Sequence, residues 1–330
     1  LWSGAVCLKR CQRLKSDMPQ TFCADDLRPL LNIDKLIDPI RQAFCAASLE
    51  RSSSPIVVLH PTPTSDMHVK SATLKDSPIF TVKMAGWSRH RAEIGLSPTT
   101  GVIAVYDSAT CDLLALLDDE HLISDYRTAA AGAVVAQGLS RPESSVLTVV
   151  GTGLQARLQA EAAYLMRPSI KQVNVWGRSA EKSRVLAEDL TSRLRGPKVT
   201  AVIELEPAVK EADLIVCATA AKDPVLQAEW LQPGQHITSV GSDDVTKAEV
   251  ASGCFKRADL VVVDSLEAAS HYGNLARCGF QRDNSNASNV AEIGSLLNSS
   301  EFQRQTPNQI TIASLVVIVV QDLAVVLALN

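Results

Sequence analysis

The spacing of apolar positions divides the chain into two kinds of territory. Over Thr21–Ala47, the residues Leu30, Leu31, Leu36, Ile37, Ile40 and Phe44 recur at threes and fours, which predicts a helix with one buried face. Five short apolar runs follow, at Ile56–His60, Met67–Ser71, Ile79–Met84, Thr100–Asp107 and Leu113–Asp118, with Pro, Ser, Asp and Gly between them. That rhythm predicts an antiparallel meander. Tyr126–Leu139 reads as an Ala-rich helix, ended by Ser140, Arg141 and Pro142. From Val146 the pattern changes. Val146–Val150, Val173–Trp176, Val199–Ile203, Leu214–Ala218, His236–Val240 and Leu260–Asp264 are apolar runs, alternating with helical stretches such as Gln155–Met166 and Ala180–Leu194. Strands buried on both faces and interleaved with helices predict a parallel sheet. The expected class is α/β: a doubly wound parallel sheet over residues 128–304, plus a mixed α+β domain made from 18–127 and 305–330.

Composition narrows the function. The chain has 330 residues, enough for two domains, with 46% apolar and 21% charged residues and a net charge of -4. Such a balance argues against nucleic acid as the main partner. The eight cysteines, Cys7, Cys11, Cys23, Cys45, Cys111, Cys217, Cys254 and Cys278, form no Cys-x-x-Cys pair. The histidines His60, His68, His90, His121, His236 and His271 share no ligand spacing, so no metal site is expected. His236 in its strand, and Cys217 and Cys254, read as packed residues, while His68 lies beside Lys70. Scattered thiols suit a reducing, cytoplasmic setting. Residues 1–17 carry Lys9, Arg10, Arg13 and Lys15 ahead of Asp17, which is either an organelle-targeting pattern or an extension ahead of Met18. Leu315–Leu329 is apolar except at Gln321 and Asp322, too short to span a bilayer, and reads as a buried segment.

Candidate chemistry starts at Gly151-Thr152-Gly153-Leu154-Gln155-Ala156, between a buried strand and a helix. This is a Gly-x-Gly-x-x-Ala form of the dinucleotide fingerprint. Gly151 serves the tight turn, Gly153 the close approach of a pyrophosphate, and Ala156 the packing of helix on sheet. A Rossmann-type domain binding NAD(P) is therefore expected. The next strand ends in Trp176-Gly177-Arg178-Ser179, without the acid that takes ribose hydroxyls in NAD-selective folds. Arg178 and Ser179 favour NADP(H) over NAD(H); the plainer reading makes Arg178 a solvated charge. Thr219, just past Leu214–Ala218, joins the cofactor candidates.

Five segments, in order, carry a wider resemblance: Phe80–Lys83, Tyr126–Ala130, the glycine loop, Asp223–Leu226, and Pro233–Asp243 with Lys247 and Glu249 behind it. Together they resemble the ornithine cyclodeaminase/mu-crystallin family. The resemblance implies a homodimer, a first domain for substrate binding and dimerisation, and a nicotinamide cofactor used on the Cα–N bond of an amino acid or cyclic imine. It implies that Arg127 binds the substrate carboxylate, that Lys83 binds it or moves a proton, and that Asp243 is the acid facing the amine. Asp243 at the end of a strand has a plainer reading as a helix N-cap, with Thr246 onward helical, and Asp244 fits that reading better.

Two departures stand out. Lys70 occupies ground where ornithine-specific members tend to carry Glu; it would repel a side-chain ammonium and instead bind a second carboxylate or share the first. Valines replace the glycines expected before Gln321-Asp322. The readings left open are an ornithine cyclodeaminase-like lyase, an NAD(P)H-dependent ketimine reductase or alanine dehydrogenase-like enzyme, and an NADP(H)-binding protein without turnover.

Overall fold

A computed structural model describes residues 19–53, 55–281, 288–299, 301–316 and 318–329. The basic segment 1–17 lies outside the described residues. The chain divides into two compact units, 1–127 with 319–330, and 128–318.

In the first unit the strands are β1 (Gln20–Cys23), β2 (Ser52–Ser53), β3 (Ile56–Thr62), β4 (Ser65–Leu74), β5 (Ile79–Ser88), β6 (Thr99–Asp107) and β7 (Leu113–Asp118). Its helices are α1 (Ala24–Leu27), α2 (Ile33–Ser48), α3 (Arg89–Glu93) and the start of α4 (Leu122–Leu139), which runs through the boundary into the second unit. The sheet order is β1-β7-β6-β5-β4-β2, with β3 also on β4. Every pairing is antiparallel except β1 on β7. The single helix expected over Thr21–Ala47 is corrected here. Gln20–Cys23 pairs with Ala115–Asp118 as a parallel edge strand. Ala24–Leu27 and Arg28–Leu30 are short separate turns, and the long helix begins only at Ile33, after the extended Leu31 and Asn32. Asn32 then caps α2 by accepting from the Asp34 amide at 2.9 Å. Ile33, Leu36, Ile37, Ile40, Ala43 and Phe44 make its buried face. On β5 the alternation puts Ile79, Thr81 and Lys83 on the covered side of the sheet.

The second unit holds β8 (Val146–Val150), β9 (Gln172–Trp176), β10 (Lys198–Ala201), β11 (Leu214–Cys217), β12 (His236–Ser239), β13 (Leu260–Val263), β14 (Val290–Glu292) and β15 (Thr311–Ser314). Between them come α5 (Leu154–Met166), α6 (Ala180–Arg193), α7 (Leu205–Glu211), α8 (Ser252–Arg257), α9 (Leu266–His271), α10 (Gly273–Arg277) and α11 (Ile293–Asn298). All pairings are parallel, in the order β10-β9-β8-β11-β12-β15-β13-β14. The order reverses between β8 and β11, the switch point at which such sheets bind ligands. Leu147, Val149, Val173 and Val175 pack against Ala156, Ala160 and Leu190 of the helices. Each fully buried Leu or Val among them contributes about 1.5–3 kcal/mol.

The expected return to the first unit at 305 is also corrected. Thr311–Ser314 is fully buried as β15 between β12 and β13, so 305–318 stays in the second unit and the crossing falls at Val319. Helix α12 (Val320–Ala328) then completes the first unit, with Val320 through Val326 buried. Among the described residues no helix is long and apolar enough to cross a membrane.

Candidate active site

In the second unit the chain leaves β8 through Gly151, whose φ of +134° is open to glycine. A side chain there would also collide with the Ala218 carbonyl. Gly153 is the N-cap of α5 and brings no capping side chain. A Cβ built on Gly153 meets nothing within 4 Å, so the backbone faces open space where the helix presents its first amides. Ala156 is fully buried, as its packing role requires. A left-handed glycine, an open second glycine and an uncapped helix N-terminus fit a dinucleotide pyrophosphate. Thr152, Leu154 and Gln155 share this turn. At the end of β9, Arg178 is exposed, and the exposed Ser179 accepts from the Lys182 amide at 3.3 Å as the N-cap of α6.

The loops after β11 and β12 are tied by a group that sequence reading mentioned without a role. Glu249 is fully buried, and its carboxylate accepts from the Thr219 amide, from the Ser239 hydroxyl at 2.7 Å and from the Gly241 amide at 2.8 Å. Burial pushes its pKa up, against the pull of these three donors. Asn274, itself buried, accepts from the Glu249 and Val250 amides and donates to Ser239 and Ser314. Gly241 has room for no side chain beside Thr219 and Glu249.

Asp243 lies on the loop so fixed. It is 51% exposed and accepts from Lys247 Nζ at 2.6 Å. The helix expected from Thr246 is absent; the next helix is α8. Asp244 instead closes a tight turn, accepting from the Thr246 amide and hydroxyl and from the Lys247 amide at 2.6, 2.8 and 3.0 Å. That leaves the N-cap reading of Asp243 without a helix.

In the first unit, Lys83 (3% exposed), Arg127 (5%) and Asp322 (1%) form one buried cluster. Strand alternation points Lys83 inward from β5, while α4 supplies Ser124 and Arg127, three residues apart on one face. Lys83 Nζ lies 3.3 Å from both Asp322 oxygens and also donates to Ser124 Oγ. Arg127 Nε donates to Asp322 Oδ1 at 3.2 Å. Burial works against the ionised Asp322 carboxyl, but Lys83, Arg127 and then Lys70 outweigh it and hold its pKa at about 2. Burial lowers the Lys83 pKa; Asp322 pulls it back up and Arg127 pushes it down again. Lys70 is paired directly across from Lys83 in the β4–β5 register. Asp119 is buried, caps α4 by accepting from the Ile123 amide at 2.9 Å, and keeps its other oxygen without a hydrogen-bond partner. Burial pushes its pKa up.

The stretch common to these features is also what other proteins share. Residues 20–329 fit the sequence profile of one family, taking in the glycine loop and the lysine–arginine–aspartate cluster alike. The chain belongs to the ornithine cyclodeaminase/mu-crystallin family. Within the family's wider range, it is 34% identical to an uncharacterised cyclodeaminase of Sinorhizobium fredii over 306 residues, 91% of each chain. It is 28% identical to a Δ1-pyrroline-2-carboxylate reductase of Bacillus cereus over 305 residues, 92% of this chain and 93% of the other. An archaeal alanine dehydrogenase dimer with bound NAD is similar in structure, with a TM-score of 0.84, 25% identity and 94% of each chain covered. The Rossmann-type reading of the parallel sheet holds in this comparison.

Asp322 and Ser124 were absent from the expected site. The signal for Asp322 was an acid inside an apolar run; Ser124 gave none. His236 is buried between Thr311 and Thr238, its pKa lowered to about 3 by burial, then Arg304 and Arg167, as a packed neutral residue. Cys217 and Cys254 are buried. Among the described residues no cluster of three metal-ligating side chains occurs.

Proposed function

We propose that the protein is a nicotinamide-dependent oxidoreductase interconverting an imino acid and its L-amino acid, working as an imine reductase. The observation that carries this reading is the buried pair Lys83 and Arg127 sharing the single carboxylate of Asp322. Two cations held where water is scarce suit the carboxylate of an amino or imino acid. When bound, the nicotinamide supplies or takes a hydride at the substrate carbon. Arg127 holds the carboxylate and fixes the substrate's orientation. Lys83, an ammonium whose pKa burial lowers, gives up a proton to the imine nitrogen more readily than a solvated lysine. Asp322 and Ser124 keep its Nζ in place. Asp119 and Asp322 buffer the charge as that proton moves. The pyrroline-2-carboxylate reductase and alanine dehydrogenase likenesses support this class.

Lys70 weighs against a diamino acid, since its ammonium faces the same side of the sheet as Lys83. Asp243 favours a second reading. It is a half-exposed carboxylate following β12, suited to a substrate amine, and the cyclodeaminase likeness supports it. Absorbance at 340 nm with Δ1-pyrroline-2-carboxylate, alongside ammonia release from L-ornithine, separates the two. Loss of NADPH or NADH with the imine is the expected result. Ammonia from ornithine without net cofactor change would replace it by the cyclodeaminase reading.

For the cofactor we keep NADP(H), on the absence of an acid after β9 and the exposed Arg178. Arg178→Ala should weaken NADPH about tenfold and NADH hardly at all, a loss within the worth of one charge-assisted contact. A homodimer is proposed on the exposed apolar β3, where Val57 is 57% and Leu59 50% exposed. Light scattering on the purified chain tests it.

A further inference from the structure

Past the ends of β11 and β12 the sheet ladder stops, and one buried carboxylate takes over its task. The Val240 amide still donates to the Cys217 carbonyl, at 3.0 Å. The amides of Thr219 and Gly241, the next residues on the two loops, donate to Glu249 instead. Thr219 reaches Oε1, while Gly241 and the Ser239 hydroxyl reach Oε2. An ionised carboxylate only accepts, so it satisfies three donors at once. The backbone of Glu249 is held as firmly. Its amide and that of Val250 donate to Asn274 Oδ1, and its carbonyl accepts from the Val225 and Leu226 amides, each at 2.9 Å. Because β8, β11 and β12 are neighbours, the tie begins one strand from the glycine loop and ends two strands from it, about 5 and 10 Å away. A Cβ on Gly151 would strike the Ala218 carbonyl, so the glycine loop rests on the residue before Thr219. Burying an acid among neutral donors costs stability. What it provides is a fixed spacing of two backbones at the edge where such sheets bind ligands.

We infer that Glu249 is a positioning residue for the nicotinamide half of the dinucleotide, acting through the Thr219 and Gly241 loops, while the glycine loop alone holds the adenosine and pyrophosphate half. The inference rests on the nicotinamide-cofactor reading and divides that site between two sets of residues. Glu249 itself meets no ligand, since both its oxygens are engaged by the chain. Glu249→Gln isolates its role, because an amide has nearly the same shape but turns one acceptor into a donor. Whichever way that amide sits, its NH2 group faces the Thr219 or the Gly241 amide, and one loop is released.

The test titrates the whole chain by calorimetry with NADPH and NADH, and with 2′-phospho-ADP and ADP, which lack the nicotinamide riboside. In Glu249→Gln, affinity for the dinucleotide should fall about tenfold or more, the scale of one buried donor left unmet, while affinity for the matching diphosphate changes less than about threefold. Emission of the bound reduced nicotinamide should also move toward that of the free cofactor at saturation, which a loss of stability alone would not cause. Retained diphosphate binding shows that the variant is folded. If Glu249→Gln binds none of the four, Glu249→Asp, which keeps the charge and draws it back by one methylene, carries the same comparison. Unchanged dinucleotide affinity, equal loss of dinucleotide and diphosphate, or no binding by either variant would overturn the inference and make Glu249 a residue of the fold alone. An unaltered chain that binds the dinucleotide but not the diphosphate would overturn it too, because the division needs the first half to bind by itself. An unaltered chain that binds neither NADPH nor NADH would overturn the cofactor reading with it.

Discussion

Each unit buries a carboxylate, and the two are held in opposite ways. Asp322 in the first unit is surrounded by full charges, Lys83 and Arg127, with Lys70 acting from β4. Glu249 in the second is surrounded by neutral donors, two backbone amides and a hydroxyl. The cationic surround drives the Asp322 pKa down to about 2, whereas burial wins at Glu249 and its pKa rises. The difference separates two uses of a buried acid. Neutral donors spend their polarity on the acid and fix a loop. Full charges hold the acid ionised, and in the proposed reading the same cations meet a charged substrate.

The largest effect should come from removing the acid on the charged side. Asp322→Asn removes the carboxylate that Lys83 and Arg127 share and should cost about 3–5 kcal/mol, read from the urea midpoint. An unchanged midpoint would mean that the cluster is balanced without Asp322. Next comes Lys83→Met. Arg127 and Asp322 remain as a neutral pair, so the fold should hold while kcat/KM falls about a hundredfold or more. If stability falls and turnover does not, the lysine is structural and the contrast between the units fails. Smaller again is the glycine loop. Gly153→Ala meets no protein atom, so thermal stability should hold while dinucleotide affinity, measured by titration of fluorescence, drops about tenfold.

The smallest effect is in pH, and there the two acids should slope in opposite directions. The folded Asp322 pKa lies below its ordinary 3.8, so its contribution is present above that value and is lost as pH falls from about 4 toward 2. The folded Glu249 pKa lies above 4.5, so protonation favours the folded state and stability from this group rises as pH falls toward 4.5. Glu249→Gln should flatten the second slope and leave the first. Denaturation midpoints across pH 3–7 for both variants would show it; parallel slopes would remove the distinction.

Local features were legible in the sequence and distant ones were not. The strand at Val146–Val150 appears with the bounds its apolar run predicts, because a continuous apolar run before a glycine turn needs no distant partner to be recognised. Lys83 and Arg127 were found through motifs. Asp322 was seen as a break in an apolar run and as part of the family's Gln-Asp pair, but not as the partner of Lys83 and Arg127, which lie 239 and 195 residues away. The edge strand Gln20–Cys23 was hidden for the same reason: its residues are mostly exposed, and only pairing with β7 makes it a strand. Thr311–Ser314 lacked a visible neighbour, because β15 enters the sheet between two strands already placed. The turn at Asp244 mimicked a helix start, as side-chain caps and tight turns use the same acid and the same forward amides.

The crossing at Val319 also sets a timetable for synthesis. A ribosome releases Lys83 and Arg127 long before it reaches α12, and the entire second unit is made in the interval. That unit is one continuous stretch and can fold as it emerges. The first unit must wait with two cations facing a place that its own acid has not yet reached. Its closure is thereby tied to near-completion of the chain, and a nascent protein interrupted before Asp322 would carry a finished nucleotide fold beside a sheet still exposed to chaperones and proteases.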